Sequence, residues 1–189
     1  KRTVTLTSTT DSKVYDGTPL TNDKVTVGGD GFANGEGASY NVTGTQTEFG
    51  SSANAFTYTL NDGTEAANYD ITTTEGTLTV TALTNKVTVT ITENSGSEKY
   101  DGLEKIVTGY TVSIDNELYK ETDFTFSGDA TVKGTAAGTY AMELKPADFT
   151  NISKNFSNVE FVIVNGTLEI SKRTVTLTST TDSKVYDGT

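Results

Sequence analysis

Oxygen is the only strong ligand chemistry this sequence offers. Cysteine and histidine are both absent, which removes thiolates, disulfides, the commonest transition-metal ligand and the usual general base. Carboxylates, amides, hydroxyls and tyrosines remain. The densest oxygen cluster is Asp30, Asn34 and Glu36 within GGDGFANGEG, followed by Asp62 and Glu65 around the next acidic turn. Such groups suit a hard cation, Ca²⁺ above all. Their order does not follow the DxDxDG spacing of a dedicated loop, so solvated turns are the simpler reading and calcium the sharper one. Paired carboxylates also support hydrolysis, yet nothing sets one pair apart as acid and base. The expectation is a chain with no catalytic residues and no cofactor.

The tyrosines are better organised. Tyr15-Asp16-Gly17 returns as Tyr100-Asp101-Gly102 and again as Tyr186-Asp187-Gly188. In each, the ring is expected to pack with its hydroxyl satisfied nearby, the aspartate to cap turn amides, and the glycine to supply positive φ. The sharper alternative makes the tyrosines a surface platform for glycans. A closing phrase recurs as well: Gly76-Thr77-Leu78-Thr79-Val80 matches Gly166-Thr167-Leu168-Glu169-Ile170. Gly76 and Gly166 therefore join the YDG residues as structural motif positions.

What must position these motifs is a repeating unit. Residues 172–189 reproduce residues 1–18 letter for letter, the signature of a tandem array in which each unit copies an earlier one. The expected organisation is one repeat at 1–82, a divergent second repeat at 83–171, and the first strand and YDG turn of a third at 172–189. Because lone strands are not stable, that last strand is expected to be ordered by contact with another domain or chain. The links at 81–85 and 171–173 are short and contain no Gly/Ser or Pro-rich tether, so successive units should sit close together.

Composition agrees with a β protein and narrows its partners. Threonine is about a fifth of the chain, with only 2 prolines and 18 glycines, and Thr, Val, Ile, Tyr and Phe suit a pleated, half-buried surface. Val4 and Leu6 alternate with Thr3, Thr5 and Thr7, as Val87, Val89 and Ile91 do with their neighbours, which predicts strands with one wet face. The net charge of −11 argues against nucleic acid and against docking on an anionic membrane. No apolar run approaches the ~20 residues of a membrane-spanning helix.

In the first repeat, strands are expected at 3–7, 13–15, 24–27, 39–47, 55–60, 69–74 and 77–80, with a turn at Asp11-Ser12. Residues 28–37 form a loop with one helical turn near Phe32-Ala33-Asn34, and Asn61-Asp62-Gly63 forms a turn. In the second, strands are expected at 87–91, 106–114 with a bulge at Gly109, 124–126, 138–144, 159–164 and 167–170. Ser95-Gly96-Ser97 is expected to turn, residues 117–123 to form a short helix, and Lys145-Pro146 to break the sheet.

The ordered set VYDGTPLTNDKVTV, GFANGEG and NYDITTTEGTLTV, all within residues 14–80, resembles the YDG and MBG repeat families. The second repeat keeps YDG, Gly134-Thr135, Gly138-Thr139-Tyr140 and NGTLEI, and resembles a more distant member. The resemblance implies large, secreted, wall-anchored surface proteins of Gram-positive and related bacteria. It also implies all-β or mostly-β domains, β-grasp-like or sandwich-like, strung in arrays that carry adhesive domains. If the first and last strands of each lie side by side and parallel, the two domains here join end to end in an extended rod. It supplies no catalytic motif. Lys–Asn or Thr–Gln crosslinks of the kind found in other Gram-positive surface domains have many candidate partners and no pattern selecting them. The function expected is a structural stalk repeat that projects a binding tip from the cell wall and bears tension. The alternative is a repeat that itself binds host mucin or other glycans. Neighbouring repeats are the expected partners, with host glycans and other copies of the chain as further candidates.

Overall fold

The computed structural model describes residues 1–188, and they are all-β, with several sheets, no barrel, and no helix beyond three single 3-10 turns. The first repeat supplies β1 (Arg2–Ser8), β2 (Asp11–Val14), β3 (Val25–Gly29), β4 (Ala38–Val42), β5 (Gly50–Asn54), β6 (Phe56–Leu60), β7 (Tyr69–Thr74) and β8 (Gly76–Thr81). The second supplies β9 (Val87–Glu93), β10 (Gly96–Lys99), β11 (Lys105–Thr108), β12 (Tyr110–Ile114), β13 (Phe124–Phe126), β14 (Thr131–Gly134), β15 (Gly138–Ala141), β16 (Phe149–Asn151), β17 (Val159–Val164) and β18 (Thr167–Ser171).

Two compact units form. One holds Lys1–Val89 with Ile114–Phe126 and Phe149–Phe161; the other holds Thr90–Ser113, Ser127–Asp148 and the chain from Val162 onward. The first unit thus contains the whole first repeat and three segments of the second, 83–89, 114–126 and 149–161.

The first unit is organised by its outermost strands. β1 pairs in parallel with β7 from Arg2↔Tyr69 to Thr7↔Thr74, and β2 pairs in parallel with β8 from Asp11↔Leu78 to Val14↔Thr81. The register carries through the break between the two ladders: Tyr69 faces Arg2 and Leu78 faces Asp11, 67 positions on in each case. Each long strand therefore serves two sheets, β3-β1-β7 before the break and β2-β8-β5 after it. Alternation buries Val4 and Leu6 beneath Tyr69, with Val25, Phe32, Tyr40, Phe56 and Ile71 around them. Beyond the break, Leu20, Leu78 and Val80 make a second cluster, with Tyr15 against it.

The recurring GTL glycine is explained at this break. A Cβ on Gly76 would lie 2.5 Å from Ser8 O and from the Thr9 carbonyl, and one on Gly166 would lie 2.4 Å from Asn94 O. The neighbouring backbone crosses where a side chain would stand, so only glycine fits. The residue opposite is chosen by what the chain presents there. Ser8 Oγ donates to Asn54 O at 2.6 Å and accepts the Gly76 N–H at 2.9 Å. At the corresponding place in the second unit two donors converge, and a buried carboxylate answers them: Glu93 accepts the N–H groups of Leu144 and Gly166, each at 2.7 Å.

In the second unit β10 pairs in parallel with β18, from Gly96↔Leu168 to Lys99↔Ser171, and β15 pairs antiparallel with β18. β11 pairs with β14. A further sheet of the second repeat has β9 between β12 and β17. Leu168 and Ile170 are buried, with Val132, Met142 and Leu144.

Several expectations are corrected. Ser95-Gly96-Ser97 is not a turn: Gly96 opens β10, because β18 offers it a ladder. The strand expected at 39–47 stops at Val42, and the next, β5, was not foreseen in the weakly apolar run Gly50–Asn54. Gly109, at φ 84, does not bulge one strand but separates β11 from β12. The helix expected at 117–123 is reduced to a 3-10 turn at Glu121–Asp123. Near Ala33 there is only a turn closed by Glu36 N–H to Ala33 O at 3.0 Å. Residues 172–188 form no strand, and Val175, Leu177, Val185 and Tyr186 are exposed. The same letters in β1 are held by β3 on one side and β7 on the other.

Candidate functional site

The YDG turn is a small charged clamp. Asp16 Oδ1 accepts the Thr18 N–H at 2.9 Å, the Thr18 hydroxyl at 2.7 Å and the Lys13 ammonium at 2.7 Å. Those donors, Lys13 foremost, pull its carboxyl down to about 2. Gly17 turns the chain at φ 77. The second repeat builds the same turn: Asp101 accepts the Leu103 N–H at 2.9 Å and the Lys105 ammonium at 2.6 Å, its carboxyl is likewise lowered, Lys105 again the chief cause, and Gly102 sits at φ 85. Asp187 and Gly188 (φ 79) belong to the exposed third copy.

Around the first of these turns the two repeats meet, within one compact unit. Phe156, buried, stands edge-on to Tyr15 with ring centroids 5.5 Å apart, and edge-on to Tyr119 at 5.0 Å. Leu83 N–H donates to Asn155 O at 2.8 Å, and Ser157 N–H donates back to Leu83 O at 3.1 Å. Asn155 then reaches the loop before β5: its Oδ1 accepts the Phe49 N–H at 2.7 Å, and its amide donates to Glu48. A Cβ on Gly17 would lie 2.9 Å from Leu118 Cδ2, which can shift, so it is the positive φ that favours glycine there.

Burial and charge set the phenols. Tyr119 is pushed up to about 12, chiefly by burial and then by Asp123; its hydroxyl lies 3.0 Å from Asn151 Oδ1 and 3.1 Å from Asp123 O. Tyr15 is raised by burial first, then by Glu48, Asp123 and Asp16. Tyr100, by contrast, is 41% exposed and Tyr186 90%, so the three YDG tyrosines occupy three different surroundings.

The five acidic-loop candidates are put to structural use or left in solvent. Asp30 Oδ2 accepts the Thr3 N–H and the Thr3 hydroxyl, both at 2.9 Å, which lowers its carboxyl. Glu36 accepts the hydroxyl of Tyr69, whose oxygen also accepts the Ala33 N–H at 3.0 Å. The GFANGEG loop is thereby tied to the NYD strand, with Phe32 edge-on to Tyr69 at 5.2 Å. Asn34, Asp62 and Glu65 are exposed. Among the described residues no three Asp, Glu, His or Cys side chains converge as a metal would require. Among the described residues no helix is long and apolar enough to cross a membrane.

Sequence reasoning did not find the junction residues Phe156, Asn155, Tyr119, Leu83, Glu48 and Phe49. The signal was the short link at 81–85, which forces neighbouring units together without naming the residues that touch.

The MBG domain family model matches residues 87–172. The match lies on the second repeat, whereas the fuller set of motifs lies in residues 14–80. No curated protein and no solved structure matches the chain. Residues 87–172 are thus similar to an MBG-type domain, a family of repeat domains.

Proposed function

We propose that the chain is a length of stalk from a bacterial cell-surface adhesin, outside the cell and anchored to its wall. It holds a binding tip away from the surface and carries tension. The observation that supports this reading is the parallel pairing of the first and last strands of the first repeat. The chain enters at Arg2 and leaves at Thr81, and the paired strands run the same way, so entry and exit lie at opposite ends of a ladder of ~13 residues, roughly 40 Å at ~3.3 Å per residue. Tension on those ends shears the β1–β7 and β2–β8 pairs together rather than opening them one by one. The hydrogen-bonded junction at Leu83 and Asn155 supports it too, because a stalk needs neighbouring repeats as its partners.

Deleting residues 1–171 from the parent surface protein, with its tip retained, tests the proposal. Adhesion under flow is expected to fall while static binding to the tip's target is kept. Equal adhesion under flow would refute the stalk; loss of static binding would point to a repeat that itself binds glycans.

A further inference from the structure

The surface that receives Phe156 on the first repeat has a counterpart on the second. Tyr15 N–H donates to Thr81 O at 2.8 Å, and Tyr100 N–H donates to Ser171 O at 2.9 Å. Gly50 faces Val80 as Gly138 faces Ile170. The residues just before Gly50, Glu48 and Phe49, thus correspond to Ala136 and Ala137. Those just after Thr81, Ala82 and Leu83, correspond to Lys172 and Arg173. In the first repeat these positions hold Phe156 and Asn155. In the second they line a pocket of about 480 Å³ formed by Tyr100, Ala136, Ala137, Lys172, Arg173 and Val175.

The knob has a counterpart as well. Phe156 and Asn155 stand three and four residues before β17; Ala66 and Glu65 stand three and four before β7, and both are exposed. We propose that the pocket beside Tyr100 is a docking seat for the loop end of the first repeat of a second copy of this chain, with Ala66 entering it and Glu65 meeting Lys172 and Arg173. Charge favours this occupant. The seat is basic, whereas no Lys or Arg lies between Lys24 and Lys86, and the loop adds Asp62 to Glu65. The inference rests on the stalk reading, in which loop end meets turn end, and adds the residues that would do so.

The cysteine-free chain allows a direct test. Ala66→Cys and Ala137→Cys preparations, mixed in a glutathione buffer, are expected to form the mixed disulfide about tenfold faster than Thr59→Cys with Ala137→Cys, because docking raises the effective concentration of one thiol at the other. Thr59 is exposed on β6 and serves as the undocked reference. Lys172→Glu with Arg173→Glu in the Ala137→Cys chain should abolish the advantage, and Glu65→Lys in its partner should restore it. Equal rates for the two thiol pairs, or an advantage indifferent to the charge reversal, would overturn the seat. Such a failure, with adhesion under flow still dependent on residues 1–171, would remove the seat and leave the stalk.

Discussion

Phe156 of the second repeat stands edge-on to Tyr15 of the first, ring centroids 5.5 Å apart at 76°. Tyr15 is the opening letter of the YDG turn, so the motif that marks the start of a repeat also receives the repeat that follows. Phe156 is 2% exposed, and truncating such a ring typically costs about 3–5 kcal/mol. Phe156→Ala is expected to lower stability in denaturant unfolding by that order. In a double-mutant cycle with Tyr15→Ala, about 0.5–1.5 kcal/mol of the loss should be shared between the two rings. Strict additivity would mean the contact contributes nothing of its own.

The GTL glycines give a second expectation. Gly76→Ala and Gly166→Ala place a methyl group within 2.5 Å of neighbouring backbone, so each should destabilise by about 2 kcal/mol or more, as overpacked sites do. Gly28 lies in β3, where a Cβ would meet nothing closer than 3.8 Å, and Gly28→Ala should be near neutral. Thermal melts of the three variants decide the matter, and equal shifts would discard the explanation of the break.

Asp16 sets the response to acid. Its carboxyl is held at about 2 against an ordinary 3.8 by Lys13 and Thr18, so the folded value lies below the unfolded one. Its contribution is therefore present above the unfolded value and lost as pH falls from about 4 through about 2. Asp11, Asp30 and Asp101 are shifted the same way. Asp16→Asn should lower Tm at neutral pH by a small amount, since the clamp is exposed to solvent and salt. The gap from the unmodified chain should close as pH approaches about 2, where the protonated acid resembles the amide. A gap constant from neutral to acid pH would rule the clamp out.

Period-two alternation made β1, β7, β9 and β17 readable, because Val4 and Leu6, or Val87, Val89 and Ile91, point to one covered face. It failed where pairing rather than apolar content makes the strand. Gly50–Asn54 and Gly96–Lys99 are strands because β8 and β18 lie beside them. Residues 172–188 carry the alternation of β1 but form no strand. Asp16, Asp101 and their glycines were legible because a turn is a local device. The junction was not, since Tyr15 and Phe156 are brought together by folding across well over a hundred positions. The recurring motifs suggest a repeat boundary at 82/83, while the aromatic contacts of Tyr119, Phe124, Phe149, Phe156 and Phe161 draw those parts of the second repeat into the unit that holds the first.

The load-bearing claim is tested most directly by pulling one repeat in two directions. With thiol handles at Lys1→Cys and Ala82→Cys, tension shears the parallel ladder; with handles at Lys1→Cys and Asn68→Cys, it peels β1 from β7 starting at the shared end. Single-molecule force spectroscopy should give a rupture force several-fold higher for the first pair than for the second. Equal forces in the two geometries would contradict the account.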